Sequence, residues 1–323
     1  MNYSLFKLKF HTAAHFGLSD SALSLYTSGE YFCADTLFSA LCHTALSLYG
    51  TDGVQKLCEQ VQRDELLLSD SFPWKDEDFY LPKPVLIGNE RSDVPEHSRK
   101  EMKRVKWIPV RAYQSFFASI DTGVPFDAKG IDQSFSQCVE TTKISYPNGI
   151  QSTPYQVGVT YFYPNAGLYF IAAYKDDEQE TWIRTLLDAL GLSGIGGKIS
   201  SGYGKFWVED QIYLNEYFDE QTQWLYEALS NSDAGRQVLL TASLPKEDEM
   251  ESIVPKMYYQ LIRRGGFIRP EGTSASMHKK RTQYFFAAGS VSSVRYRGAL
   301  HEVGRISDHA VYRYGKPLFL GVL

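Results

Sequence analysis

The residue types with the clearest chemical potential lie in one glycine-rich stretch, GLSGIGGKISSGYGKF, at residues 191–206. Six of its sixteen residues are glycine, which frees the backbone but costs entropy when the chain is ordered. Lysine, serine and tyrosine side chains are interspersed with these glycines. Successive main-chain N–H groups in such a loop can bind an anion, so the stretch is first compared with known phosphate-binding loops.

Both standard nucleotide-binding loops fail on spacing. A Walker A loop requires GxxxxGK followed by Ser or Thr, whereas here Lys198 is followed by Ile199 and Leu192 replaces the first glycine. A dinucleotide fingerprint requires GxGxxG at the start of a helix, but Ile199 again replaces a glycine and the next segment reads as a strand. The sequence therefore indicates no nucleotide cofactor.

Two interpretations of the loop remain open. Its glycines would let a polymer of phosphates and bases approach the backbone, with lysines and serines as donors and Tyr203 as a stacking surface. Alternatively, the loop is a tight connection packed under a sheet.

Single residues elsewhere also invite a chemical interpretation. His15, in HTAAHFG, is a candidate RNA contact, a structural residue, or a general base that abstracts a proton from a ribose 2′-OH. Asp35 precedes a helical pattern and is interpreted as its N-cap, not as a metal ligand. The four cysteines and seven histidines show no spacing typical of zinc sites, so no metal is expected.

Positive charge is concentrated near the C-terminus. The net charge is −5, yet residues 256–316 contain twelve Lys/Arg and three Asp/Glu, a balance of +9 that leaves −14 for the rest. Such asymmetry indicates one face that meets an anion. RRGGF (263–267), HKKR (278–281) and RYRG (295–298) are candidate backbone contacts, the last as a stripe on one face of a strand.

The periodic segments predict an α+β protein. Outside residues 88–165, alternation predicts a strand at 3–10, and apolar spacing predicts a helix from Asp35 that stops at Gly50, with a second short helix at about 52–62. GLYFIAAY (167–174) reads as a buried strand, and residues 178–190 as a helix. The order of strand, helix, strands, helix, strand is the β-α-β-β-α-β pattern of ferredoxin-like, RRM-like folds. We expect a first domain at 1–235 with an insertion at about 88–165 and a second, degenerate copy at 236–323. Residues 88–104 read as a charged loop, and 105–165 as short strands without a clear helix. The absence of a long apolar run or leader predicts a cytoplasmic protein without membrane contact.

Several motifs together resemble one known family. They include the glycine stretch, FHTAAHFG, DTLFSAL, YLPKP, GLYFIAAY, RRGGFI, YFFAAGS and HAVYRYGKPLFLGV. The chain is similar to the RAMP superfamily of RNA-binding proteins from CRISPR systems, and within it to the fourth Csm subunits of type III-A effector complexes. The similarity runs over most of the chain and is weakest in 88–165.

The resemblance implies a non-catalytic RNA-binding subunit with two ferredoxin-like domains. Such proteins hold the 5′ handle of the CRISPR RNA (crRNA) and dock a large polymerase-like Csm subunit and a backbone Csm RAMP subunit. It also implies a β-hairpin-rich thumb within 105–165, for which KWIPVRAYQSFF is a candidate part. The alternative is a metal-independent endoribonuclease that processes repeat RNA, with His15 as general base. The candidate RNA-binding residues are His15, Gly194, Gly196, Gly197, Lys198, Ser200, Ser201, Tyr203, Lys205, Arg263, Arg264, Phe267, Lys279, Lys280, Arg281, Arg295 and Arg297.

Overall fold

A computed structural model describes residues 1–18, 22–86, 101–145, 152–216, 219–268, 278–306 and 309–322. The chain is a mixed α+β protein built on antiparallel sheets, as expected. The helices that organise it are α1 (Ala34–Gln62), α2 (Tyr113–Thr122), α3 (Asp177–Ser193), α4 (Glu220–Ser230) and α5 (Glu247–Ile253). No helix in the described ranges has the length and apolar character needed to cross a membrane.

The first half of the chain forms one large sheet and one separate hairpin. The strands are β1 (Asn2–Phe10), β2 (Leu66–Leu68), β3 (Phe72–Lys75), β4 (Asp78–Pro82), β5 (Trp107–Pro109), β6 (Ser136–Ser145), β7 (Thr153–Phe162), β8 (Ala166–Tyr174) and β9 (Phe206–Tyr213). The sheet order is β5-β4-β3-β8-β1-β9, with β2 also paired to β8, and its pairs are antiparallel. The elements β1, α1, β2–β3, β8, α3 and β9 follow the expected β-α-β-β-α-β order.

The central strands bury both faces of the sheet. Phe6, Leu8 and Phe10 of β1 pack under α1 and α3, whereas Leu5 points to the opposite face. All nine residues of β8, GLYFIAAY with the preceding alanine, are buried. This strand is a continuous apolar run because its two faces both meet a core.

Helix α1 differs from the prediction at its start and agrees with it at Gly50. Asp35 is not its N-cap: that position belongs to Cys33, and the Ala34 amide donates to Asp70 Oδ1 at 2.8 Å. Gly50, with φ 65° and ψ −157°, is not helical and separates two helical segments at a kink, where the sequence predicts the end of one helix and a second short helix after it.

The insertion contains a helix that sequence reasoning missed. Residues 113–122 form α2, whose Phe116 and Phe117 are buried, and Trp107–Pro109 joins the main sheet as its edge strand β5. KWIPVRAYQSFF is therefore part of the core and not of a thumb. The hairpin within the insertion is β6–β7, with Val139 opposite Val159. Residues 88–100 of the charged loop lie outside the described residues.

The second half forms a smaller sheet with hairpins attached to it. Its strands are β10 (Arg236–Leu239), β11 (Met257–Tyr258), β12 (Leu261–Arg264), β13 (Phe267–Ile268), β14 (His278–Lys279), β15 (Gln283–Phe286), β16 (Val291–Ser292), β17 (Leu300–Ile306), β18 (His309–Tyr314) and β19 (Phe319–Val322). The order of the sheet is β11-β16-β10-β19. Val238 and Leu320 of this sheet belong to the same core as Leu5 and Tyr169, so one core extends across the expected boundary at 235/236.

Candidate nucleic-acid interface

The glycine loop, residues 194–205, joins α3 to β9 and packs against the segment that follows β1. The Gly204 amide donates to Ala13 O at 2.7 Å, and the Ile195 amide donates to Gly204 O at 2.9 Å. Gly204 has φ +75°, and a Cβ there would lie 2.0 Å from Ile195 O. The amides of Gly204 and Ile195, which were expected to contribute to an anion nest, thus donate within the chain. Glycine is required at position 204 because of its positive φ and its close contact with Ile195. Gly194 is also buried, and a Cβ there would lie 2.5 Å from Tyr203 O.

His15 is enclosed by this loop and by the hairpin. Its side chain is 6% exposed, and its Nδ1 donates to Gly158 O at 2.7 Å, because a carbonyl oxygen can only accept. A Cβ at Gly197 would lie 2.5 Å from His15 Cδ2, and one at Gly196 would lie 2.6 Å from His15 O. The structure gives His15 a packing role and leaves little surface for the expected RNA contact.

The exposed part of the glycine loop is polar and lies beside β6–β7. Ser200 and Ser201 are exposed, and Lys198 and Lys205 are half-buried. Lys198 Nζ lies 5.0 Å from the centre of the Tyr155 ring in β7. The loop therefore offers hydroxyl and ammonium groups next to an aromatic ring of the hairpin.

Tyr203 does not offer the expected stacking surface. Its ring is 9% exposed and packs in a small core with Ala13, Val157 and Val159. Lys143 of β6 lies over this ring, with Nζ 4.9 Å from its centre. A hydrogen bond to Tyr203 raises the pKa of Lys143. Sequence reasoning missed Lys143 and Tyr155, although the alternation of the two strands could have indicated them.

Arg264, an expected RNA contact, is committed to an internal ion pair. Its Nε lies 3.0 Å from Asp35 Oδ2, and Arg313 Nε lies 3.6 Å from the same oxygen. Burial alone would raise the pKa of Asp35, but the charges of Arg264 and Arg313 outweigh it and hold that pKa below its ordinary value. The side chains of β12 alternate as expected, so Arg263 is exposed while Arg264 points inward.

Exposed aromatic and basic side chains pair across the hairpins beyond β12. Arg263 lies opposite Tyr284, and Phe267 lies opposite Lys279, with all four exposed. Three of the predicted RNA contacts, Arg263, Phe267 and Lys279, are therefore exposed. The loop containing Gly272, Ser274 and Ser276 lies outside the described residues.

The other basic candidates make contacts within the chain. Lys280 is half-buried near Arg313. Burial, and to a smaller extent the positive charge of Arg313, lowers the pKa of Lys280. Arg281 Nη2 donates to Glu302 O at 2.6 Å. Arg295 and Arg297 do not form a stripe on a strand, because residues 293–299 are irregular. Arg295 donates to Gln237 Oε1 at 2.7 Å, whereas exposed Arg297 pairs with Asp64.

Comparison with known proteins agrees with this architecture. Residues 7–207 match the family described as the RAMP superfamily, and residues 232–322 match the CRISPR Csm4 C-terminal domain. A Mycobacterium tuberculosis protein named "CRISPR system Cms protein Csm4" is 32% identical over 100% of this chain and 98% of its own length. A Streptococcus thermophilus protein of the same name is 30% identical, covering 99% and 98%.

Solved structures show the same fold. A crystal structure of a Csm3-Csm4 subcomplex of the type III-A CRISPR-Cas interference complex contains a chain with TM-score 0.62 and 18% identity, covering 100% of both chains. A Csm1-Csm4 cassette in complex with pppApA gives TM-score 0.62 and 18% identity, covering 100% and 98%. On the full-length similarity to named relatives, the chain belongs to the Csm4 family of the RAMP superfamily and is a subunit of a type III CRISPR complex.

Proposed function

We propose that this subunit binds the 5′ handle of the crRNA, without catalysing its cleavage, at the end of the sheet where the glycine loop meets hairpin β6–β7. The observation that carries the proposal is the pair of cation–ring contacts between loop and hairpin. Lys198 of the loop lies over Tyr155 of the hairpin, and Lys143 of the hairpin lies over Tyr203 of the loop. Two ammonium groups thereby lie where the loop meets the hairpin, and the same loop exposes Ser200 and Ser201, so this junction can supply cations and hydroxyls to a phosphate backbone.

The proposed partners follow from the relatives. Chains of similar fold occur in a Csm3-Csm4 subcomplex and in Csm1-Csm4 cassettes. The present subunit would likewise dock a backbone RAMP subunit and the large polymerase-like subunit of a type III-A complex in the cytoplasm.

We further propose that the two halves are tandem ferredoxin-like domains. In the second sheet, β10, α5, β11, β16 and β19 repeat the chain order of β1, α1, β3, β8 and β9. The sheet positions correspond as well, since β10 and β16 are central in the way that β1 and β8 are. The hairpin β17–β18 lies between β16 and β19, where the first half has α3, which accounts for the degenerate appearance of the second half.

The absence of catalysis is part of the proposal and is supported by the environment of His15. A general base must come within hydrogen-bonding reach of the hydroxyl it deprotonates. The His15 ring is instead enclosed by Gly197 and Gly158. This environment favours binding over processing of repeat RNA.

RNA affinity measured at several salt concentrations tests the proposal. Full-length chain is titrated against labelled handle RNA and a scrambled RNA of equal length, with Lys143→Ala and Lys198→Ala as variants. We expect preference for the handle, a several-fold loss for each variant, and a salt slope lower by about 0.7 per lost phosphate contact. Lys175→Ala is the matched control, because Lys175 follows β8 at the far end of the sheet. Equal affinity for both RNAs, together with no loss in either variant, would reject the proposal.

A further inference from the structure

Two aromatic rings form a platform beside the glycine loop. The rings of His11 and Trp207 are stacked, with centroids 4.9 Å apart and planes inclined by 14°. His11 is exposed, and Trp207 is 50% exposed although its neighbours Phe206 and Val208 in β9 are buried. Trp207 therefore points away from the helices, onto the second face of the sheet.

The second half of the chain covers one end of this sheet face, and the platform lies at the other end, which is uncovered. At one end of the face, Leu5 and Tyr169 are buried in the core that contains Val238 and Leu320. Further along β1 the same face carries Lys7 and Lys9, and Trp207 of β9 lies opposite Lys9 on that face. Half of the Trp207 surface is exposed here, and among the described residues His11 is the ring that stacks on it.

Two lysines of β1, Lys7 and Lys9, lie near the platform. Lys9 lies opposite Trp207 in the β1–β9 pair, and the ammonium groups of Lys7 and Lys9 lie 4.0 and 5.0 Å from the Trp74 ring. Lys7 Nζ lies 3.5 Å from Glu209 Oε2, which offsets its charge, whereas Lys9 donates to the Pro164 carbonyl oxygen and keeps a charge that complements a polyanion. The combination of a flat ring with nearby cations is the arrangement by which proteins bind single-stranded nucleic acids.

The platform is continuous with the glycine loop. The His11 amide donates to Lys205 O at 3.1 Å, and the Lys205 amide donates to Thr12 Oγ1 at 2.9 Å. Lys205 is separated from Trp207 by one residue. A strand of RNA whose phosphates contact the loop would place an adjacent base within reach of the platform.

We propose that the His11–Trp207 platform is a base-stacking subsite that receives one nucleobase of single-stranded RNA. The proposal rests on the proposed function and deepens it by assigning a base contact to the open face of the sheet. Stacking tolerates any base, because every base has a π face, so this subsite would anchor the strand without reading its sequence.

The test combines protein variants with abasic RNA. Handle RNAs, each with one nucleotide replaced by an abasic unit, are titrated with full-length wild type and Trp207→Ala. We expect Trp207→Ala to weaken binding about tenfold at every salt concentration with an unchanged salt slope, since stacking releases no counterions. Lys205→Ala should instead lower the slope. Trp207→Phe should retain most affinity, and Trp182→Ala, on α3, should retain all of it.

One abasic position should be as harmful to the wild type as Trp207→Ala and have no additional effect in that variant. If no position shows this non-additivity, or if Trp207→Ala binds like wild type, the stacking subsite is rejected while handle binding stands. If wild type itself binds no RNA, the proposed function fails and the subsite with it. Loss of a partner subunit from Trp207→Ala with unchanged RNA affinity would make the platform a protein contact and overturn the proposal.

Discussion

Asp35 and Arg264, which are 229 positions apart in the sequence, form a two-point ion pair at the first turn of α1. Arg264 Nε lies 3.0 Å from Asp35 Oδ2, and Arg264 Nη2 lies 2.5 Å from Asp35 Oδ1. Both side chains are largely buried, with exposed fractions of 8% and 21%. The pair connects the helix of the first half to hairpin β12–β15 of the second.

Removing the buried arginine should strongly destabilise the fold. Arg264→Ala removes the two-point partner of the Asp35 carboxylate, leaves Arg313 3.6 Å away as its ion-pair partner among the described residues, and should lower the free energy of unfolding by about 3–5 kcal/mol. The neighbouring Arg263→Ala is the control, because an exposed arginine contributes at most about 1 kcal/mol, whatever it contacts. Urea unfolding monitored by circular dichroism measures both. Similar losses in the two variants would contradict the assigned role.

Asp70 should make stability depend on pH. Burial raises the pKa of Asp70 to about 7, although the amides of Ala34 and Ala242 donate to its carboxylate and lower it. Because this pKa is above the ordinary value, the folded state holds the proton more tightly than the unfolded state. The resulting stability is present below about pH 4 and lost as pH rises to about 7, by roughly 4 kcal/mol at most.

Asp70→Asn isolates this contribution, because its amide oxygen can still accept from both main-chain groups. We expect the difference in unfolding free energy between Asp70→Asn and wild type to shift in favour of the variant between pH 5 and pH 8. Thermal unfolding across that range supplies the measurement. A difference independent of pH would show that Asp70 stays ionised in the folded protein.

The glycine loop should tolerate no side chain at Gly204. Gly204→Ala combines a left-handed backbone with a Cβ 2.0 Å from Ile195 O and should cost about 2–5 kcal/mol. Gly235→Ala provides the control, since its Cβ would meet nothing within 4 Å. Urea unfolding of both variants is the measurement, and equal stability of the two would show that the loop can shift at no cost.

Local patterns predicted the parts of this fold that depend on local spacing. Alternation identified β1, and the apolar periodicity from 178 to 190 identified α3, which begins at Asp177 with Asp176 as its N-cap. An unbroken apolar run identified β8. These elements follow from the neighbours of each residue in sequence, since one face of each must be buried.

The orientation of single side chains depends on partners that are distant in sequence, so it was harder to predict from the sequence. Tyr203 was expected to stack on a base, yet Val157 and Val159 of a hairpin more than forty positions away enclose it. Trp207 could have been identified, because alternation in KFWVED places it opposite the faces of Phe206 and Val208. The fold class thus followed from the composition and from the periodic spacing of apolar residues, whereas the contacts of the candidate site required the tertiary structure.

His15 distinguishes a positioning role from catalysis. If it only holds the glycine loop against the hairpin, the wild-type chain should leave repeat RNA intact in EDTA between pH 6 and pH 9, as judged on denaturing gels. His15→Ala should nevertheless lower the free energy of unfolding by about 1–3 kcal/mol, because Gly158 O loses its buried donor. The same variant should weaken handle binding by loosening Gly196 and Gly197, while His15→Gln should recover part of both effects by supplying another N–H donor. Discrete cleavage that rises with pH and vanishes in His15→Ala would instead identify His15 as a general base and make the subunit an endoribonuclease.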